Sequence, residues 1–87
     1  MISHRDPKFD RHFKLMPAHI RELARKTYRL WRANPWHPSL QFKEWAPGHW
    51  SVRVGRDYRA LAVERPDGAY LWWWIGPHQT YDKLLRR

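Results

Sequence analysis

Trp50-Ser51-Val52-Arg53-Val54-Gly55 sets apolar against polar or small residues at every second position, and Tyr58-Arg59-Ala60-Leu61 follows after Arg56-Asp57. A period of two is the signature of a β-strand, so Trp50, Val52 and Val54 face a core while Arg53 projects from the opposite side of the sheet. A second strand presents Arg59. After the turn signal Asp67-Gly68, a third apolar strand from Tyr70 to Ile75 delivers Gly76-Pro77-His78-Gln79-Thr80-Tyr81-Asp82 at its end. Strands are therefore expected over 50–55, 58–64 and 70–76. Guanidinium groups, an imidazole and a phenol gather on one small sheet, a set suited to gripping a phosphate and moving a proton. Alternation alone leaves open which face Arg59 shares, because Leu61 and Val63 lie on its side and Tyr58, Ala60 and Ala62 on the other. A bulge at Gly55 would rotate it.

Working upstream, Leu40, Phe42 and Trp45 predict a short extended segment, and Ala46-Pro47-Gly48-His49 is turn chemistry ahead of the strand. Before about Pro38 the period changes to three and four. Asp6-Pro7 reads as an N-cap followed by proline at the first helical position, with Phe9 and Phe13 on one face of a helix over 6–15. A second helix over 17–33 places Ile20, Leu23, Ala24, Thr27, Leu30 and Trp31 on one stripe, with Arg21, Arg25, Lys26, Arg29 and Arg32 mostly off it. Asn34-Pro35 ends it. The fold class is α+β: an N-terminal helical hairpin packed on a small twisted antiparallel sheet. Trp72, Trp73 and Trp74 put rings on both faces of the last strand, which is expected in the sheet interior with helices over one face and a bound partner as one answer for the other.

The chain has 87 residues, enough for a single domain over 1–87, and carries a formal charge of +9 from 17 Lys and Arg against 8 acids. A polyanion is the natural partner. Cysteine is absent, which removes disulfides, thiolate nucleophiles and Cys-based zinc sites and suits the cytosol. The segment Met1-Ile2-Ser3-His4-Arg5-Asp6 has no apolar signal core, so a soluble, unprocessed protein is expected, with no membrane partner. His4, His12, His19, His37 and His49 show no metal-ligand spacing, no glycine-rich phosphate loop occurs, and no cofactor or metal is expected.

The order of helical hairpin, His37-Pro38-Ser39-Leu40, Phe42-Lys43, Trp50 to Gly55, Tyr58-Arg59-Ala60-Leu61, Trp74-Ile75-Gly76 and His78 with Tyr81-Asp82 resembles the RelE/ParE superfamily of toxins from bacterial type II toxin-antitoxin systems. The resemblance implies a cytoplasmic toxin that is neutralised by a cognate acidic antitoxin. Members commonly open with a β-strand before the first helix, for which Met1 to His4 leaves no room. The RelE-like branch cleaves messenger RNA, usually on the ribosome and without a metal. There the ribose 2'-hydroxyl attacks the adjacent phosphate, and catalysis needs a base, an acid and cations that stabilise the phosphorane. By resemblance Arg59 is the phosphate ligand, Arg53 matches a basic position on the preceding strand, His78 falls where the family has a general acid or basic residue, and Tyr81 where an aromatic stacks on a base. Lys43, Arg53, Arg56 and Lys83 form the RNA-binding set. Ser51 stands where the branch carries a lysine, and no acid is obvious as general base. The ParE branch, which poisons DNA gyrase, needs no such cluster.

Arg53 and Arg59 compete with a plainer account as solvated strand residues or edge charges that block sheet association, and His78 with one as a turn histidine. A binding-only module, for RNA or antitoxin, is the third functional class beside RNase and gyrase inhibitor. The tryptophan run reads as core, with base stacking as the sharper alternative.

Overall fold

The computed structural model describes residues 1–85. Asp6 caps helix α1 (Pro7–Lys14), its side chain accepting from the Lys8 amide at 2.8 Å, and Pro7 opens the first turn where no N–H is needed. Helix α2 (Ala18–Ala33) follows, and its start is braced by Arg21 Nη1 donating to the Met16 carbonyl at 2.6 Å. A 3-10 turn (Pro38–Leu40) leads to strands β2 (Lys43–Ala46), β3 (His49–Val54), β4 (Tyr58–Glu64) and β5 (Tyr70–Pro77). The expected helices and strands lie where the periodicities put them.

Leu40, expected in an extended segment, ends the 3-10 turn instead, ahead of left-handed Gln41, and two further elements differ from the sequence reading. Ser3–Arg5 form a strand, β1, that pairs in parallel with β5 through Ser3 and Tyr70, His4 and Leu71, and Arg5 and Trp72. The expectation that Met1 to His4 leave no room for a strand is thus corrected. Three residues suffice because β5 supplies the template, and the Tyr70 amide donates to the Ile2 carbonyl while the Asp6 amide donates to Trp72. The sheet is consequently mixed, in the order β1-β5-β4-β3-β2, with all pairs except β1·β5 antiparallel. The second difference is helix α3 (His78–Leu85), where the sequence reading has only the end of a strand and a turn.

One face of the sheet carries the larger core. Trp31 of α2, 1% exposed, meets Phe42, Tyr70 and Trp72 edge-on at 5.7, 5.6 and 5.2 Å between ring centroids, an arrangement that puts positive ring edges on negative faces. Val52, Val54, Ala60 and Ile75 complete the floor, and Phe9, Phe13 and Leu23 close it from the helices.

The rings of β5 reach both faces, and a bulge decides which ring goes to which face. Leu61 pairs with Trp74 but Ala62 with Trp72, so Trp73 is an extra residue and the alternation inverts. Trp72 and Ile75 therefore enter the helix-side core, whereas Trp74 packs with Leu61 and Tyr81 on the other side. That second face is covered over β4 and β5 by α3 of the same chain. Over β2 and β3 this face is closed at Ser51, which lies under Tyr81, while Lys43 and Trp45 are exposed.

Candidate phosphate-binding site

Register decides what alternation left open. Arg53 on β3 lies directly opposite Arg59 on β4, so the two share the face under α3, and no bulge at Gly55 intervenes. Gly55 instead takes φ +64 in the β3–β4 turn, a conformation that costs an L side chain about 1–2 kcal/mol. Two like charges on a directly opposed pair are unfavourable by themselves. Arg53 turns its Nε to the Gly55 carbonyl at 2.9 Å.

Arg59 is 8% exposed, unusual for an arginine. Its Nη2 donates to Gln41 Oε1 at 3.0 Å, and the guanidinium carbon sits 5.5 Å from the centroid of the Tyr81 ring. Nε and Nη1 are buried without an acceptor among the described residues. Burial lowers the Arg59 pKa from its ordinary value, and Arg53 pushes the same way, while Tyr81 and Asp82 oppose it. A guanidinium stays charged under such shifts. Two orphaned donors on a buried cation facing a second cation make a receptor for an oxyanion.

Gln41, which orients Arg59, is the one non-glycine residue at positive φ among those described, φ 44 and ψ 50, in the cap of the 3-10 turn. Sequence reading missed it, and a glutamine after Ser39-Leu40 carries no signal that would have revealed it.

His78 opens α3, its amide donating to the Asp57 carbonyl at 2.7 Å, which ties the helix start to the β3–β4 turn. One helical turn on, Asp82 Oδ2 lies 3.1 Å from His78 Nδ1. The sequence reading names Asp82 beside Tyr81 without giving it a role, and finds no acid as general base. The spacing of four residues is the signal that pairs Asp82 with His78, once 78–85 is known to be helical. His78 and Arg56 share a cleft of about 420 Å³ with Asp57, Tyr58, Pro77 and Gln79.

Tyr81 stands between the two groups, its ring 5.6 Å from the His78 ring and packed on Leu61 and Trp74. It is 9% exposed and donates to Ser51 Oγ at 3.4 Å. Ser51 is itself fully buried, so position 51 lies beneath the Tyr81 contact. Lys43, across from Ser51 on β2, is exposed on the same face. Arg56 is exposed in the turn and Lys83 on α3. Thus Arg53, Arg59 and Tyr81 come together with Lys43 exposed on the same face, whereas His78 touches the Tyr81 ring but lies in the separate cleft with Arg56, and Lys83 is exposed on the covering helix. Among the described residues no three His, Asp or Glu side chains gather in metal-binding geometry, and no helix is long and apolar enough to cross a membrane.

Comparison with known proteins gives two agreements. A model of the ParE-like toxin domain matches residues 18–83. Among solved structures, the RelB-RelE antitoxin-toxin complex from Methanococcus jannaschii aligns with a TM-score of 0.68 at 19% identity, over 91% of this chain and 95% of that one. The isolated RelE toxin of E. coli aligns at 0.65 and 12% identity, over 99% of this chain and 96% of that one. At such identities the likeness is one of fold. No curated protein matches the sequence.

Proposed function

The chain belongs to the ParE-like toxin domain family, and from that premise we propose that it is the toxin of a type II toxin-antitoxin pair, a single cytoplasmic domain over 1–87 that cleaves messenger RNA without a metal. The observation that carries this reading is the buried Arg59 guanidinium, with Nε and Nη1 unpartnered and Arg53 directly opposite. An oxyanion is the group that satisfies both donors and relieves the repulsion between the two cations.

In the proposed reaction the 2'-hydroxyl of a ribose attacks the adjacent phosphate and loses its proton to a base, and the 5'-oxygen leaves as it takes a proton. Arg59 and Arg53 stabilise the charge that builds on the phosphorane. His78, oriented by Asp82, gives the proton to the leaving oxygen. The products are a 2',3'-cyclic phosphate and a 5'-hydroxyl. Tyr81 holds the Arg59 plane and walls the site, and Lys43, Arg56 and Lys83 meet neighbouring phosphates. The ribosome is the setting in which messenger RNA is presented. The M. jannaschii structure is of a toxin with its antitoxin; for this chain the corresponding partner is an acidic protein drawn by the charge of +9.

The test is expression in growing cells with labelled amino acids and labelled thymidine supplied together. Amino-acid incorporation stops first, Arg59→Ala abolishes the effect at equal protein level, and cleavage in a reconstituted translation mixture yields cyclic phosphate ends. Free RNA cleavage, where it occurs, persists in EDTA. If thymidine incorporation stops first, or if Arg59→Ala and His78→Ala remain fully toxic, the RNase reading fails and gyrase inhibition replaces it.

A further inference from the structure

The face beyond Arg53 carries an aromatic side chain that the mechanism does not use. Between Glu44 and Ala46 the β2–β3 register shifts, so Trp45 is the bulged residue. Its ring lies 5.0 Å from that of His49 at 42°, and His49 alternates onto the same side of β3 as Ser51 and Arg53. Trp45 therefore stands on the Arg53 face, backed by His49. Its indole is 38% exposed. Lys43 is exposed on the same side, whereas Glu44 pairs with Trp50 and Glu64 bonds to Trp50 Nε1 at 3.0 Å, which assigns the acids of these strands to the opposite side. Among the described residues, the strip from Trp45 past Lys43 to Arg53 thus carries cations and no carboxylate from the strands themselves, and it ends at an exposed ring. From His49 to Arg53 is four residues of β3, roughly 13 Å at about 3.3 Å each.

We propose that this strip is a track for single-stranded RNA, with Trp45 as a platform on which a base stacks a few nucleotides away from the phosphate held by Arg59. The inference rests on the RNA-directed reading of the site and extends it to a second contact. The chemistry favours a nucleic acid over an acidic peptide, because one exposed indole flanked by separated cations matches alternating bases and phosphates. Stacking is tolerant of sequence, so the platform raises affinity for the strand more than it selects a cleavage site.

The test uses the full chain made by cell-free synthesis and a fluorescein-labelled, fully 2'-O-methylated hexanucleotide, which has no free nucleophile, with binding read by anisotropy. Trp45→Ala is expected to weaken binding by about 5- to 150-fold, the range for loss of one stacked base, with an unchanged dependence on salt. Trp45→Phe retains binding within a few-fold. Lys43→Ala reduces the salt slope by about 0.7, one phosphate contact on a single strand. Circular dichroism and thermal melting of each variant separate a lost contact from a lost fold. If Trp45→Ala binds as tightly as wild type while Arg53→Ala weakens, the track is overturned and the RNA reading of the Arg59 site stands. If Trp45→Ala loses only the protein partner and keeps RNA, the surface belongs to that partner and the track is likewise overturned. Wild-type protein that binds no RNA at any salt removes both.

Discussion

Arg59→Met is expected to make the protein more stable and biologically silent. The side chain is 8% exposed and leaves Nε and Nη1 without acceptors. Each buried unpaired donor costs about 1–3 kcal/mol, so the pair opposes folding by about 4 kcal/mol at the centre of that range. Against it stand one charge-assisted bond to Gln41, worth about 2 kcal/mol, and the contact with Tyr81, worth about 1 kcal/mol. Methionine fills the space of the arginine stem with a flexible apolar chain and removes the repulsion from Arg53. The balance favours the variant by about 1 kcal/mol, a rise in Tm of about 4–8 °C for a domain of this size. The assay is calorimetric melting of both proteins in low-salt buffer, repeated across a sulfate series. Sulfate at ten times its Kd adds about 1.4 kcal/mol to the wild type by linkage. The variant gains only the general effect of an excluded salt. A variant that melts several degrees lower than wild type, or one that gains as much from sulfate, refutes the argument that the guanidinium is held ready for an oxyanion at the expense of stability.

Other expectations follow from the same geometry. Trp31→Ala removes the ring against which Phe42, Tyr70 and Trp72 stand edge-on and should cost about 3–5 kcal/mol, measured as a lower urea midpoint or as failure to fold at 37 °C. Gly55→Ala should cost about 1–2 kcal/mol because φ is +64 and the new methyl meets Leu23; a melting temperature equal to wild type would contradict it. Burial, and then Glu64 and Glu44, hold the Tyr70 phenol above its ordinary value of about 10. The folded state then binds that proton more tightly than the unfolded chain does. The resulting stabilisation is complete below about pH 10 and is lost as pH rises toward and through the raised value, so Tyr70→Phe should flatten the alkaline limb of a stability-against-pH curve. His78→Gln should slow cleavage by about 100- to 10,000-fold with little change in melting, and Asp82→Asn by less, since it acts through the imidazole; single-turnover rates across pH separate proton transfer from binding.

Much of the architecture is local chemistry. Asp6-Pro7 starts a helix wherever it stands ahead of Phe9 and Phe13, the stripe ending in Trp31 needs a sheet to cover it, and the period-two runs from Trp50 to Glu64 form a hairpin around Gly55. Those features, together with the ordered short motifs from His37 to Asp82, are legible in the sequence itself. The short and the non-local elements were not. Strand β1 has no alternation of its own and exists because β5 offers an edge. Helix α3 is a single amphipathic segment of eight residues, whose spacing of Tyr81 and Leu84 acquires meaning only against Leu61 and Trp74.

The site depended on register throughout. A shift of one residue moves every side chain to the other face of a strand. The sequence shows arginines on two strands, but only the antiparallel pairing puts Arg53 opposite Arg59. A bulge is likewise invisible in the pattern until a partner strand shows which residue is extra, and here the bulges at Trp73 and Trp45 decide that Trp74 packs with Leu61 and Tyr81 and that Trp45 stands on the Arg53 face. Residue types thus suggest the chemistry proposed above, phosphate binding and proton transfer. Whether those groups meet is set by hydrogen bonds between segments distant in the chain, Gln41 to Arg59 and Tyr81 to Ser51, which packing creates and no local signal encodes.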